Sequence, residues 1–155
     1  MDGSLVARVL HALHAAGVRY KVIGGVALNL RGLARATEDL DLFIEADDDN
    51  VARLQMALHA VFDDASIDEI AAADLRGDYP AIQYVPPTEG FHIDLVARLG
   101  EAFSFSDIEV DEVMVEGVPV PVASPRMLYR MKKDTVRPQD QADAARLRQK
   151  FKLED

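Results

Sequence analysis

The sequence predicts a single α/β (α+β) domain over residues 1–155, and three observations predict it. Some stretches repeat apolar residues at helical spacing, others alternate apolar with polar residues, and the two kinds follow one another in helix–strand–helix–strand order. A chain of this length buries roughly 70% of its unfolded surface, enough for one core.

The elements follow in chain order. "SLVARVLHALHAA" (4–16) puts Leu5, Val9, Leu10 and Leu13 on one helical face, with Ser4 as N-cap and Gly17 as stop. "YKVIG" reads as a short buried strand ending at Gly24-Gly25, and a helix of two to three turns at most runs from Gly25 to about Leu30, closed by Gly32. "DLDLFIE" (39–45) alternates acid and apolar residues, the pattern of a strand with one polar face. The acids of "EADDDN" (45–50) suit a strand end and the N-cap of an amphipathic helix over 49–62, with Val51, Leu54, Leu58 and Phe62 inward. Residues 63–80 carry little periodicity beyond the turn signal "RGDYP". "AIQYV" (81–85) and "FHIDLVA" (91–97) read as strands joined by a "PPTEG" hairpin loop, and 110–123 as a hairpin turning at Glu116-Gly117. Two helices close the chain: 124–134, with Ser124 as N-cap and Pro125 at the first position, and 137–152.

Composition narrows the function. A net charge of −10 excludes a general nucleic-acid-coating surface, while leaving room for a local basic patch in Arg35, Arg130, Lys132, Lys133 and Arg137. Part of the imbalance is what an acidic metal site would contribute. The mean hydropathy of −0.04 is that of a soluble globule, and no apolar run reaches the ~20 residues that span a bilayer. The N-terminal stretch holds an early acid and two histidines, so no secretory signal is expected. Without cysteine there is neither disulfide nor thiolate metal site, and the cytoplasm is the expected compartment, with no membrane partner.

The D-x-D at 39–41 raises the functional question. Residues two apart on a strand share a face, so Asp39 and Asp41 point one way while Leu40 and Leu42 point into the core. Burying unpaired carboxylates costs several kcal/mol each, so a cation is expected opposite them. Asp94, between Ile93 and Leu95, repeats the pattern on a second strand. Three acids on neighbouring strands suit hard cations such as Mg²⁺, and two such ions serve in-line phosphoryl displacement. Gly24-Gly25 at a strand-to-helix junction lets a phosphate approach free backbone N–H groups. Together these make a site for a nucleoside triphosphate with Mg²⁺.

The order of Gly24-Gly25, then Asp39-Leu40-Asp41-Leu42, then Ile93-Asp94-Leu95 resembles the DNA polymerase β-like nucleotidyltransferase superfamily. More narrowly, "VIGGVALNLRGLARATEDLDLFIE" and the closing "SPRMLYRMKKDTVRPQDQADAARL" resemble the small bacterial AbiEii/MenT toxin-like nucleotidyltransferases. The resemblance implies a nucleotidyltransferase fold, a small mixed β-sheet flanked by helices, with 124–155 forming C-terminal helices packed on the core. It implies metal-dependent transfer of an NMP from an NTP to RNA or protein, with Mg²⁺ or Mn²⁺ as cofactor and a cognate antitoxin or toxin as partner. Asp39 and Asp41 would ligate both metals, and Asp94 the catalytic one while also being a candidate for the proton of the attacking hydroxyl. Gly24, Gly25, Arg35, Thr37 and Lys132 would bind the nucleotide. Many superfamily members carry Gly-Ser where this chain has Gly24-Gly25, which removes one hydroxyl from the phosphate site.

Other residues leave alternatives open. His92 shares the face of Asp94 and either borders the site or faces solvent; Asp140 and Asp143 read as caps or as partners of basic neighbours. Two other functions fit the pattern: an adenylyltransferase acting on a small molecule such as an antibiotic, and a non-catalytic nucleotidyltransferase-like module that binds a partner. All three acids are present, which counts against the latter.

Overall fold

A computed structural model describes residues 3–37, 39–78, 80–87, 90–99 and 103–154. The first half runs α1 (Gly3–Ala15), β1 (Tyr20–Ile23), α2 (Gly24–Leu30), β2 (Asp39–Ile44) and α3 (Asp48–Val61). A 3-10 turn (Ala65–Glu69) and the short α4 (Ala72–Leu75) lead to β3 (Ala81–Tyr84) and β4 (His92–Val96). A two-stranded ribbon, β5 (Arg98–Leu99) with β6 (Phe103–Ser104), precedes the hairpin β7 (Val110–Val115) and β8 (Val118–Ala123). Then come α5 (Pro125–Lys132) and α6 (Pro138–Phe151).

Six strands form one mixed sheet in the order β3-β4-β2-β1-β8-β7. The pairs β1–β2, β3–β4 and β7–β8 are antiparallel, whereas β2–β4 and β1–β8 are parallel. Helices flank it, as the sequence leads one to expect. Leu40, Leu42, Ile44, Ile93 and Leu95 are fully buried by the alternation of their strands, in one apolar cluster with Val9, Leu10 and Leu13 of α1 and Leu54 and Leu58 of α3. Met127 and Leu128 of α5 and Leu147 of α6 belong to the same cluster.

Several details differ from the sequence reading. α1 begins at Gly3, so Ser4 lies inside the helix. α2 begins at Gly24, because this glycine takes a left-handed φ of 72° and turns the chain at once. Ser124 caps α5 as expected, its hydroxyl accepting from the Met127 amide at 3.1 Å. The cap of α3 is Asp47, which accepts from the Asn50 amide at 2.8 Å. Asn50 itself is buried, donating to the carbonyls of Arg19 and Glu45 at 2.9 and 2.8 Å and accepting from the Arg19 amide at 2.7 Å. It ties the entry of β1 to the exit of β2. The expected "PPTEG" loop and "RGDYP" turn lie partly outside the described residues.

The polar face expected along all of 39–45 is confined to its first half. Phe43 shares the side of Asp39 and Asp41 yet is fully buried. Phe105, just after β6, packs on it at a centroid distance of 6.5 Å, and Lys21 of β1 donates to the Phe105 carbonyl at 2.6 Å while its ammonium lies 4.2 Å from the Phe105 ring. This segment roofs one end of the sheet face and leaves the acid-bearing end open.

Candidate active site

The parallel register of β2 and β4 sets Asp39 beside His92 and Asp41 beside Asp94. Both strands expose every second residue to one side, so the D-x-D and the acid of β4 face the same cavity, of about 660 Å³. Asp41 and Asp94 are hydrogen-bonded to each other. Burial above all, then this hydrogen bond and the charges of Asp94 and Asp39, push the Asp41 carboxyl up to about 7, against a smaller opposing pull from Lys132. Asp41 therefore holds its proton more tightly than an ordinary carboxyl does. The third, Asp39, is turned to His92, its Oδ1 at 2.8 Å from Nδ1. In this arrangement no three His, Cys, Asp or Glu side chains among the described residues are gathered to hold a metal ion. The donor chemistry nevertheless fits a hard divalent cation: the oxygens of Asp39, Asp41 and Asp94 are all carboxylate and line one cavity.

The start of α2 opens on the same cavity through Gly24 and Gly25, and no side chain caps its first turn. Side chains approach both glycines closely, Gly24 the more so. A methyl group at Gly24 would lie 1.9 Å from Asp41 Oδ2, and one at Gly25 would lie 2.6 Å from an Arg35 guanidinium nitrogen and 3.0 Å from Thr37 Cβ. The glycine at 25 thus leaves room for Arg35 and Thr37 to fold over the helix start, where a serine would crowd them.

Arg35, Thr37 and Lys132 all line the cavity, and each is engaged by the protein. Thr37 accepts from the Asp39 amide at 3.2 Å and so steadies the first acid. Lys132 sits between Asp140 and Asp143, at 3.1 and 3.2 Å. Arg35 reaches the same Asp143 oxygen at 3.3 Å. The Asp143 side chain is fully buried and also accepts from Gln139 at 3.0 Å. For Asp140, burial acts to raise the carboxyl, but hydrogen bonds from Lys132 and Thr135 and nearby charge hold it below the usual carboxylate range. Asp140 and Asp143 are thus partners of basic residues, one of the two roles their sequence allowed, and His92 borders the cavity.

Two features lie beyond sequence reasoning. Gln83 of β3, opposite Asp94 in the antiparallel register, contributes an amide to the cavity wall. Helix α6 clasps the loop between α2 and β2: Asp143 holds Arg35, Arg146 donates to the Ala34 carbonyl at 2.9 Å, and Lys150 donates to that of Gly32 at 3.0 Å. The spacing 143–146–150 is one helix face, a signal visible in sequence, but the loop it meets is more than a hundred residues away.

Comparison with known proteins follows the same lines. The chain superposes on ANT(2″)-Ia in complex with adenylyl-2″-tobramycin with a TM-score of 0.57 at 16% identity, covering 97% of this chain and 88% of that one. Against the solution structure of that antibiotic-resistance factor the TM-score is 0.52 at 17% identity, covering 96% and 90%. A protein of Thermotoga maritima assigned as a nucleotidyltransferase gives 0.57 at 12% identity, covering 96% and 90%. At such identities the likeness is one of fold. No curated protein sequence matches the chain. The family model for the nucleotidyl transferase AbiEii toxin of type IV toxin–antitoxin systems matches residues 12–151. Nearly the whole chain is spanned by that match, and the protein belongs to the AbiEii nucleotidyltransferase family.

Proposed function

We propose that this protein transfers a nucleoside monophosphate from an NTP to a hydroxyl of an RNA or protein acceptor in the cytoplasm, with Mg²⁺ or Mn²⁺ held by Asp39, Asp41 and Asp94. The observation that carries this reading is that Asp39, Asp41 and Asp94 line one cavity together with an uncapped, glycine-lined helix start. When bound, the metal supplies charge neutralisation at the triphosphate and at the attacking oxygen. Asp39 leaves His92 to join the other two carboxylates. Backbone amides at Gly24 and Gly25 receive the phosphates, and Arg35, Thr37 and Lys132 border them. The acceptor oxygen forms a bond to the α-phosphorus, the bond to the β-phosphate oxygen breaks, and pyrophosphate leaves. The acceptor proton passes to Asp94. A cognate antitoxin, as the family description implies, is the expected partner.

The test is incubation with each α-labelled NTP, Mg²⁺ and total RNA or protein extract, with Asp41→Asn as control. Label transferred by the native protein and not by the variant is the expected result; equal transfer by both overturns the role of the acids. A second acceptor class is supported by the fold likeness to ANT(2″)-Ia, solved with an adenylylated tobramycin. Replacing the macromolecular acceptor by tobramycin in the same assay separates the two.

A further inference from the structure

Helices α5 and α6 present different chemistry on their two sides. Lys132 and Asp140 border the catalytic cavity, whereas their neighbours Lys133 and Gln141 border a second cleft, of about 600 Å³. Tyr129 and Ala144 lie buried at its floor, and its outer lining includes Lys133, Arg148, Lys152 and Gln149. Among the described residues no Asp or Glu lines it. In a chain with 27 acids against 17 basic residues, a lining with three basic side chains runs against the composition. Lys133 lies 5.9 Å from the Tyr129 ring and, like Lys152, forms no ion pair among the described residues. In the turn from α5 to α6, Val136 is 95% exposed and the Arg137 side chain 73% exposed. Arg137 also lines the catalytic cavity.

We propose that the cleft between α5 and α6 is a docking groove for the phosphodiester backbone of an RNA acceptor, whose end crosses the α5–α6 turn into the catalytic cavity. The proposal rests on the nucleotidyl-transfer reading above and assigns its acceptor a place. The α6 lining of the cleft runs from Gln141 to Gln149, about 12 Å at 1.5 Å per residue, a length that an extended polyanion with its end in the catalytic cavity can follow. Val136, at the crossing, offers an apolar surface to an unstacked base, and Arg137 a cation to its phosphate. An acidic protein segment is the other occupant this charge admits, and the binding test separates the two.

Binding is measured apart from catalysis, on the Asp41→Asn protein, by fluorescence anisotropy of a labelled single-stranded RNA across a salt series. Lys133→Glu combined with Lys152→Glu is expected to weaken binding about tenfold or more and to flatten the salt dependence, by about 0.7 in slope for each phosphate no longer neutralised. Charge neutralisation to Gln at both positions gives a smaller change of the same sign, and the thermal midpoint checks that both variants fold. RNA affinity unchanged by charge reversal, or no RNA binding by the parent, overturns the groove. So does a reversal that abolishes binding of a polyglutamate probe and leaves RNA binding intact, which would mark a site for acidic protein. Salt-sensitive RNA binding at these residues without transfer in the wild-type protein counts against the enzyme reading alone.

Discussion

Two groups of acids border one cavity and are treated in opposite ways. Asp140 and Asp143 are both buried, and they are surrounded by Lys132, Arg35, Thr135 and Gln139 within hydrogen-bonding or ion-pairing distance. Asp41 and Asp94, on the strands, have no basic side chain in hydrogen-bonding or ion-pairing distance among the described residues, and Asp39 has an imidazole. Lys132 weakly favours ionisation of Asp41, but its ammonium is held by the helix acids. A carboxylate whose partners are supplied by its own chain shapes the site. One without such a partner is held in its neutral form by burial, as Asp41 is.

Removing a member of the satisfied group should have the largest effect. Asp143→Ala leaves Arg35 and Lys132 without their common buried partner, and the expected loss is about 3–5 kcal/mol by urea denaturation. A loss below about 1 kcal/mol would erase the contrast between the two groups.

The unsatisfied group should behave in the opposite sense. Asp41 has a folded-state value near 7, above its ordinary 3.8, so the folded protein binds the proton more tightly than the unfolded chain. Its contribution to stability is therefore full below the ordinary value and is lost as pH rises through the folded one. Asp41→Asn, which cannot ionise, should stabilise the metal-free protein at pH 8 by about 2–4 kcal/mol, an advantage that fades toward pH 4. Denaturation at several pH values checks this, and destabilisation at pH 8 would contradict it. The same variant should lose any rise in melting temperature that Mg²⁺ confers on the native protein.

Gly24→Ala tests the space between helix and acid. The left-handed φ costs an alanine roughly 1–2 kcal/mol, and the added methyl meets Asp41. Thermal melting should fall accordingly, and Mg²⁺ should no longer raise it. The smallest effect is expected at Tyr20, whose hydroxyl is buried with no hydrogen-bond partner among the described residues. Burial pushes that phenol up to about 12. Tyr20→Phe should leave stability within about 0.5 kcal/mol or increase it, since the hydroxyl makes no hydrogen bond to give up. A larger destabilisation would mean that the hydroxyl is satisfied in solution.

The strand acids were legible in sequence because a period of two is short-range information: Leu40, Leu42, Ile93 and Leu95 declare their buried side, and the acids follow on the other. That the two strands are neighbours was expected, while their parallel register is given by the structure alone. What holds Arg35 and Lys132 was not legible, because ion pairs between a loop near residue 35 and a helix near residue 143 depend on how the elements pack. Phe43 misled for a related reason. Its side of β2 is polar by alternation, and only the return of Phe105 across the sheet makes it core. The stretch 63–80 stayed opaque because its pieces, a 3-10 turn and one turn of α-helix, are too short to display a period, although they bury Ile67 and Leu75.

The clasp formed by Asp143, Arg146 and Lys150 has a consequence for biosynthesis. A nascent chain that has emerged from the ribosome only as far as its second hairpin already carries Asp39, Asp41 and Asp94, yet lacks the three α6 contacts that clasp the segment around Arg35. The cavity is completed only when the final helix clears the exit tunnel, so ribosome-bound chains should be inert whatever their length short of that point.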